Sequence, residues 1–161
     1  MKNQKINALC TGGMIAALYV VLTLLANAFG LANYAIQVRF SEALTILPFF
    51  TPVAIPGLTI GCLLSNILTG CAIPDIIFGT LATLIGAYFT LILSKKNKYL
   101  ASIPPIAANT IIVPFVLKYA YGLEPIWFSF ITVFVGEVIS CGILGTLLLL
   151  ALEKQKNIFN K

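Results

Sequence analysis

The sequence predicts an all-α integral membrane protein, one domain over residues 1–161, with six transmembrane helices of which the second and third are short. Three observations predict this class. Of 161 residues, 60% are hydrophobic and 9% are charged, whereas soluble domains carry about 25% charged residues. Mean hydropathy is +1.02. Between Lys5 and Lys95 the only charged residues are Arg39, Glu42 and Asp75, so apolar runs long enough to cross a bilayer are interrupted at few points.

The first run, Ile6–Phe29, follows Lys2 and Lys5 as a signal peptide would. It is too long for a signal's apolar core and has no clear A-x-A site, so it reads as a retained span. Ala8, Gly12 and Ala16 recur in it at spacing four, with Gly13 and Ala17 beside them. Such a stripe lets helix backbones approach closely, either within this chain or as a docking face for a partner subunit.

The middle segment, Ser41–Gly70, carries Pro48, Pro52 and Pro56, then Gly57 and Gly61. Two helices fit, about Ser41–Phe50 and Gly57–Thr69, each only about 15–20 Å long. They are either two short crossings or a re-entrant hairpin. Irregular backbone at membrane depth is tolerated inside protein or beside a water-filled cavity, so this segment is expected to line one. Pro74–Leu93 and Ile103–Tyr121 are full spans, the second with its regularity broken by Pro104, Pro105 and Pro114. Pro125–Leu152 has length to spare, which implies tilt or a cytoplasmic extension.

Orientation follows from the basic residues. With the N-terminus in the cytoplasm, Lys2, Lys5, Lys95, Lys96, Lys98, Lys154, Lys156 and Lys161 are inside, and Arg39 and Lys118 are outside. That is a positive-inside bias, and it holds for six spans or for four plus a hairpin. Both termini are then cytoplasmic, and Tyr119, Tyr121 and Trp127 fall at the outer interface. The net charge of +5 is therefore a topology signal and not a nucleic-acid surface. Cys10, Cys62, Cys71 and Cys141 are dispersed, without a C-x-x-C pair, and histidine is absent. They read as packing residues, and neither metal nor cofactor is expected. No phosphate-binding G-x-x-x-x-G-K-[ST] loop, H-E-x-x-H or G-x-S-x-G motif is present.

Six polar residues inside the membrane are the candidate site: Glu137, Glu42, Arg39, Asp75, Asn66 and Asn109. Glu137 lies about eleven residues, or roughly 16 Å, into the last span, near the midplane. A glutamate there is costly and marks a ligand-binding carboxylate more readily than a structural one. Asp75 follows Pro74 in a first helical turn, where an acid also complements the helix dipole. Glu42 has the same plain reading, with Ser41 as the helix cap, and Arg39 and Glu42 are spaced to pair with each other. Asn66 and Asn109 serve either as interhelical hydrogen-bond partners or as ligand contacts. Glu124 reads as a loop residue and Lys118 as a snorkelling anchor. Depth places Arg39, Glu42 and Asp75 at outer helix ends, as a rim or lid, and Glu137 and Asn109 deeper. Carboxylates and amides around one outward cavity suit a flat, hydrogen-bonding, cationic solute, because a carboxylate accepts two parallel N–H donors. Phe40, Phe49, Phe50 and Phe78 are candidates for stacking, with ordinary packing as their plainer role.

The block Gln37-Val38-Arg39-Phe40-Ser41-Glu42-Ala43-Leu44-Thr45-Ile46-Leu47-Pro48, continued by Pro52–Leu58, Gly61–Asn66 and Asp75–Leu84, resembles the QueT family. The resemblance covers nearly the whole chain. It implies the substrate-binding S component of an energy-coupling factor (ECF) importer, taking up queuosine precursors such as queuine, preQ1 or a related deazaguanine. It further implies a six-helix S-component bundle with both termini cytoplasmic. A transmembrane T component and two ABC ATPases would be its partners, docked through a stripe like Ala8, Gly12 and Ala16. The alternatives are an S component for another vitamin or nucleobase, a solitary secondary transporter, and a small intramembrane enzyme using paired carboxylates.

Overall fold

The computed structural model describes residues 2–31 and 38–155. Gln37 of the family-like block, and Lys156 and Lys161 of the charge count, lie outside the described residues. The described residues form an all-helical fold of six helical rods, four of them long and apolar enough to cross a membrane. Helix α1 spans Lys2–Ala28. A 3-10 helix, Phe40–Phe49, and the short α2, Ala54–Leu68, follow. Then come α3, Ile73–Leu93, and α4, Ile103–Tyr121. The last rod is continuous from Ile126 to Glu153, as α5 (Ile126–Glu137), a π-helical segment (Val138–Leu144) and α6 (Gly145–Glu153).

Local chemistry explains these bounds. Pro56 sits in the first turn of α2, and Pro104 and Pro105 in that of α4, where the missing N–H groups would have no partner in the helix. Helix α2 therefore starts before Gly57. Pro114, expected to break α4, is instead carried inside a helix that runs on to Gly122, which ends it at φ 67°. There the Gly122 N–H bonds the Lys118 carbonyl at 3.0 Å, a common glycine stop.

The 3-10 helix positions the site. At about 2.0 Å rise per residue it reaches roughly 20 Å with ten residues, against about 15 Å for an α-helix. It lies inside protein: Ser41 to Pro48 are all buried. It contacts α1, α2, α3, the π segment and α6. Ser41 is not its cap. The residue before the helix is Arg39, with no side-chain cap, and the Ser41 hydroxyl bonds that of Thr23 at 2.8 Å.

Helix α1 runs parallel to α2 at close range. A Cβ on Gly57 would lie 2.7 Å from the Gly12 carbonyl oxygen, and one on Gly61 would lie 2.7 Å from Tyr19 Cβ. The stripe of small residues thus works inside the chain: Gly12 faces Val53, and Ala16 faces Gly61. Gly13 and Ala17, next to it, are exposed. Core residues Ile15, Tyr19, Ile46, Leu47, Leu58 and Leu149 gather where α1, α2, the 3-10 helix and α6 meet. Ion pairs stand at the two ends of the bundle, Lys98–Glu153 at 2.7 Å and Lys118–Glu124 at 3.0 Å. Tyr119, Tyr121 and Trp127 are exposed at the second end, as an aromatic belt requires.

The close α1–α2 approach makes a stability prediction. Gly61→Leu overpacks the contact and lowers stability by about 1–3 kcal/mol, seen as an earlier thermal transition in detergent. Gly13→Leu, whose added Cβ meets nothing within 4 Å, leaves that transition unchanged.

Candidate functional site

Glu137 is the last residue of α5, immediately before the π segment. Asn109 Nδ2 of α4 donates to its Oε1 at 2.9 Å. The thiol of Cys141, one turn on, donates to its Oε2 at 3.1 Å. Glu42, on the 3-10 helix, receives the Tyr19 hydroxyl of α1 on Oε1. Its other oxygen, Oε2, is buried with no hydrogen-bond partner. Carboxylate oxygens of Glu42 and Glu137 and the Cys141 sulfur lie within 4.8 Å of one another. Arg39, Glu42, Gly79, Thr83, Asn109 and Glu137 border one cavity of about 10 Å³, which is room for roughly one water.

Glu42 is therefore not a rim residue. It is 2% exposed and stands beside Glu137. The reason is the 3-10 helix, which begins inside the bundle against the second half of α1, so that its first turn is level with Tyr19. Arg39, half-buried just before that helix, makes no close ion pair with an acid among the described residues. Its charge instead acts at longer range on Asp75 and Glu42.

Asp75 and Asn66 stand behind Gly79. A Cβ there would lie 3.3 Å from Asn66 Nδ2 and 3.3 Å from Asp75 Oδ1; Gly79 borders the cavity, and those two side chains do not. Asp75 Oδ2 accepts from the Tyr121 hydroxyl at 3.1 Å, and that hydroxyl accepts from the Ala72 N–H at 3.0 Å. Asp75 thus ties the start of α3 to the end of α4. Asn66 Nδ2 points at Cys62 Sγ, 3.6 Å away within α2. Asn109 bridges helices; Asn66 does not.

None of the four phenylalanines borders the cavity. Phe49 and Phe50 pack edge-to-face at 4.8 Å against the core, and Phe78 lines an apolar surface groove with Phe115 and Tyr119. The sequence reading missed Tyr19, Thr83 and the role of Cys141. A tyrosine hydroxyl on an apolar helix was the available signal for the first, since it needs a partner when buried. Cys141 carries no signal until the fold places it one turn past Glu137. Two carboxylates and a thiol are also a donor set of the kind that takes a divalent cation, although Glu137 is here engaged by Asn109 and Cys141.

Four spanning rods, an enclosed 3-10 helix and acids gathered at membrane depth define a multi-pass membrane protein built around an intramembrane polar site. Intramembrane acids of this kind line solute and ion pathways. The chain belongs to the QueT transporter family, whose pattern matches residues 9–154. The Queuosine precursor transporter QueT of Lactococcus lactis subsp. cremoris is 39% identical over 85 residues, 53% of this chain and 50% of that protein. The match thus spans half the length of that curated relative. No solved structure matches the chain.

The Asn109–Glu137 bond is testable alone. Asn109→Leu strips a buried carboxylate of a partner and costs about 1–3 kcal/mol. Thr110→Val, which replaces a buried hydroxyl without a partner, is neutral or stabilising. Thermal unfolding of both variants in detergent measures the contrast.

Proposed function

We propose that this chain is the substrate-capture subunit of an ECF-type ABC importer, taking a queuosine precursor from the extracellular side. In this reading it acts as one transmembrane domain with both termini cytoplasmic. Helix directions support that orientation, because they bring the start of α1, the Lys95–Lys98 segment and Lys154 to one end of the bundle. Family membership supports the solute class. The observation that carries the reading is the pair Glu42 and Glu137 on one buried cavity, with an oxygen of Glu42 left unpartnered.

A deazaguanine presents a ring N–H and an exocyclic amine side by side, and a carboxylate accepts such a pair on two oxygens. Glu137 takes that edge, displacing the weak Cys141 thiol donor. Glu42 meets the ammonium of an aminomethyl side chain where the precursor has one. Arg39 faces the ring carbonyl, and Asn109 completes the hydrogen bonds. Asp75 and Asn66 act from behind Gly79, holding the wall in place. A base needs far more room than the present cavity, since ligand pockets run to about 300–1,000 Å³, so binding parts the helices around it.

ATP hydrolysis belongs to two partner ATPases, joined through a transmembrane T component. Since Gly12 and Ala16 are covered by α2, the face offered to that partner is the neighbouring one, which exposes Gly13, Ala17 and Leu9.

Calorimetry on the purified chain should show submicromolar binding of an aminomethyl deazaguanine or queuine; absence of binding across these bases would remove the substrate assignment. Glu137→Gln weakens binding by at least ~10-fold, because a hydrogen bond to a charged group is worth about 1.5–3 kcal/mol. Gly13→Leu retains ligand binding but loses co-purification with a T component; retained co-purification would move the docking face elsewhere.

A further inference from the structure

We infer that Tyr19 is a positioning residue that makes Glu42 a one-oxygen acceptor, and thereby selects precursors whose side chain ends in a cationic amine. The inference rests on the proposed reading of Glu42 and Glu137 as the binding site. Tyr19 is 1% exposed, in a core otherwise formed by apolar side chains and Cys62. Its Cβ lies against α2 at Gly61, and one turn on Thr23 donates to the Tyr19 carbonyl at 2.9 Å while meeting Ser41 at 2.8 Å. Helix α1 is thus fastened to the residue before Glu42, and the phenol delivers its single proton to Glu42 Oε1.

The backbone of Glu42 is held as well. Its carbonyl accepts from Thr45 Oγ1 at 2.6 Å. With Oε1 engaged and the main chain fixed, Oε2 is the open acceptor, buried and unpartnered. An open, buried oxygen suits a point donor such as an ammonium, whereas both oxygens of Glu137 already hold a donor, from Asn109 and Cys141. The two acids are therefore not interchangeable. Tyr19 sets that division without touching the ligand.

Tyr19→Phe keeps the ring and removes the proton. Calorimetry with two probes of identical ring edge, an aminomethyl and a cyano deazaguanine, reads the effect. Affinity for the aminomethyl base falls by about 10-fold, the scale of one hydrogen bond to a charged group, and affinity for the cyano base stays within about 2-fold. Glu42→Gln, which keeps an oxygen for Tyr19 and removes the charge, shifts the same ratio in the same direction and carries the test if Tyr19→Phe does not fold. Equal losses for both probes, or an unchanged ratio, overturn the inference while leaving the site intact. Failure of the unsubstituted chain to bind either probe overturns the site, and the inference with it.

Discussion

Two carboxyl side chains buried side by side at membrane depth are the constraint around which the rest of this chain is arranged. On insertion scales an acid at a helix centre costs about 2.5–3.5 kcal/mol, and two such groups near each other add mutual repulsion. The cost is offset by donors drawn from every side. Tyr19 comes from α1, Asn109 from α4 and Cys141 from the π segment, with the charge of Arg39 nearby. Each donor requires its helix at a fixed height and rotation. Gly57 and Gly61 let α2 lie hard against α1, which carries Tyr19, and Gly79 keeps the wall of α3 thin beside Asn66 and Asp75. The small residues are thus tied to the acids through the distances they permit.

Two irregular helices meet at this cluster. The 3-10 helix carries Glu42, and the π segment begins one residue after Glu137. They touch through Thr45 and Glu42 on one side and Cys141 on the other. Runs of 3-10 helix longer than a few residues are uncommon because their hydrogen bonds are poorer, and π turns concentrate at functional sites. Here the 3-10 helix Phe40–Phe49 is in contact with α1, α2, α3, the π segment and α6, and the cost of its geometry is confined to the protein interior.

The spans were legible because they rest on composition. Ile103–Tyr121 agrees to the residue, and the other long rods agree within a few. The short middle helices were legible as short from Pro48, Pro52 and Pro56, but not as 3-10 and α, since that choice is made by burial on all sides. The convergence of Glu137, Asn109, Glu42 and Arg39 was legible because charge in an apolar run needs a reason. The depth of Glu42 was not. Counting residues from a helix end assumes that every helix starts at the membrane surface, and this one starts inside the bundle. The same assumption hid Tyr19, whose partner is twenty-three residues away across a segment with no periodicity to align it. Ala8, Gly12 and Ala16 show the opposite limit. Their spacing announces close packing, and only the fold tells which neighbour is packed.

These points bear on how a cavity this small can serve a solute as large as a base. Well-packed α-helices resist separation, because each displaced side chain loses contacts on all sides. The walls contributed by α3 and α4 are of that kind. The 3-10 and π walls are held by weaker main-chain bonds, and the hydrogen bonds between them run through a thiol, Cys141, which is a poor donor and a poor acceptor. Opening the cavity along that seam breaks the least favourable hydrogen bonds and leaves the bonds of Asn109 and Tyr19, which orient the acids, in place. On the proposed function the acids are therefore held by the rigid side of the bundle, while the room for a ligand comes from its irregular side.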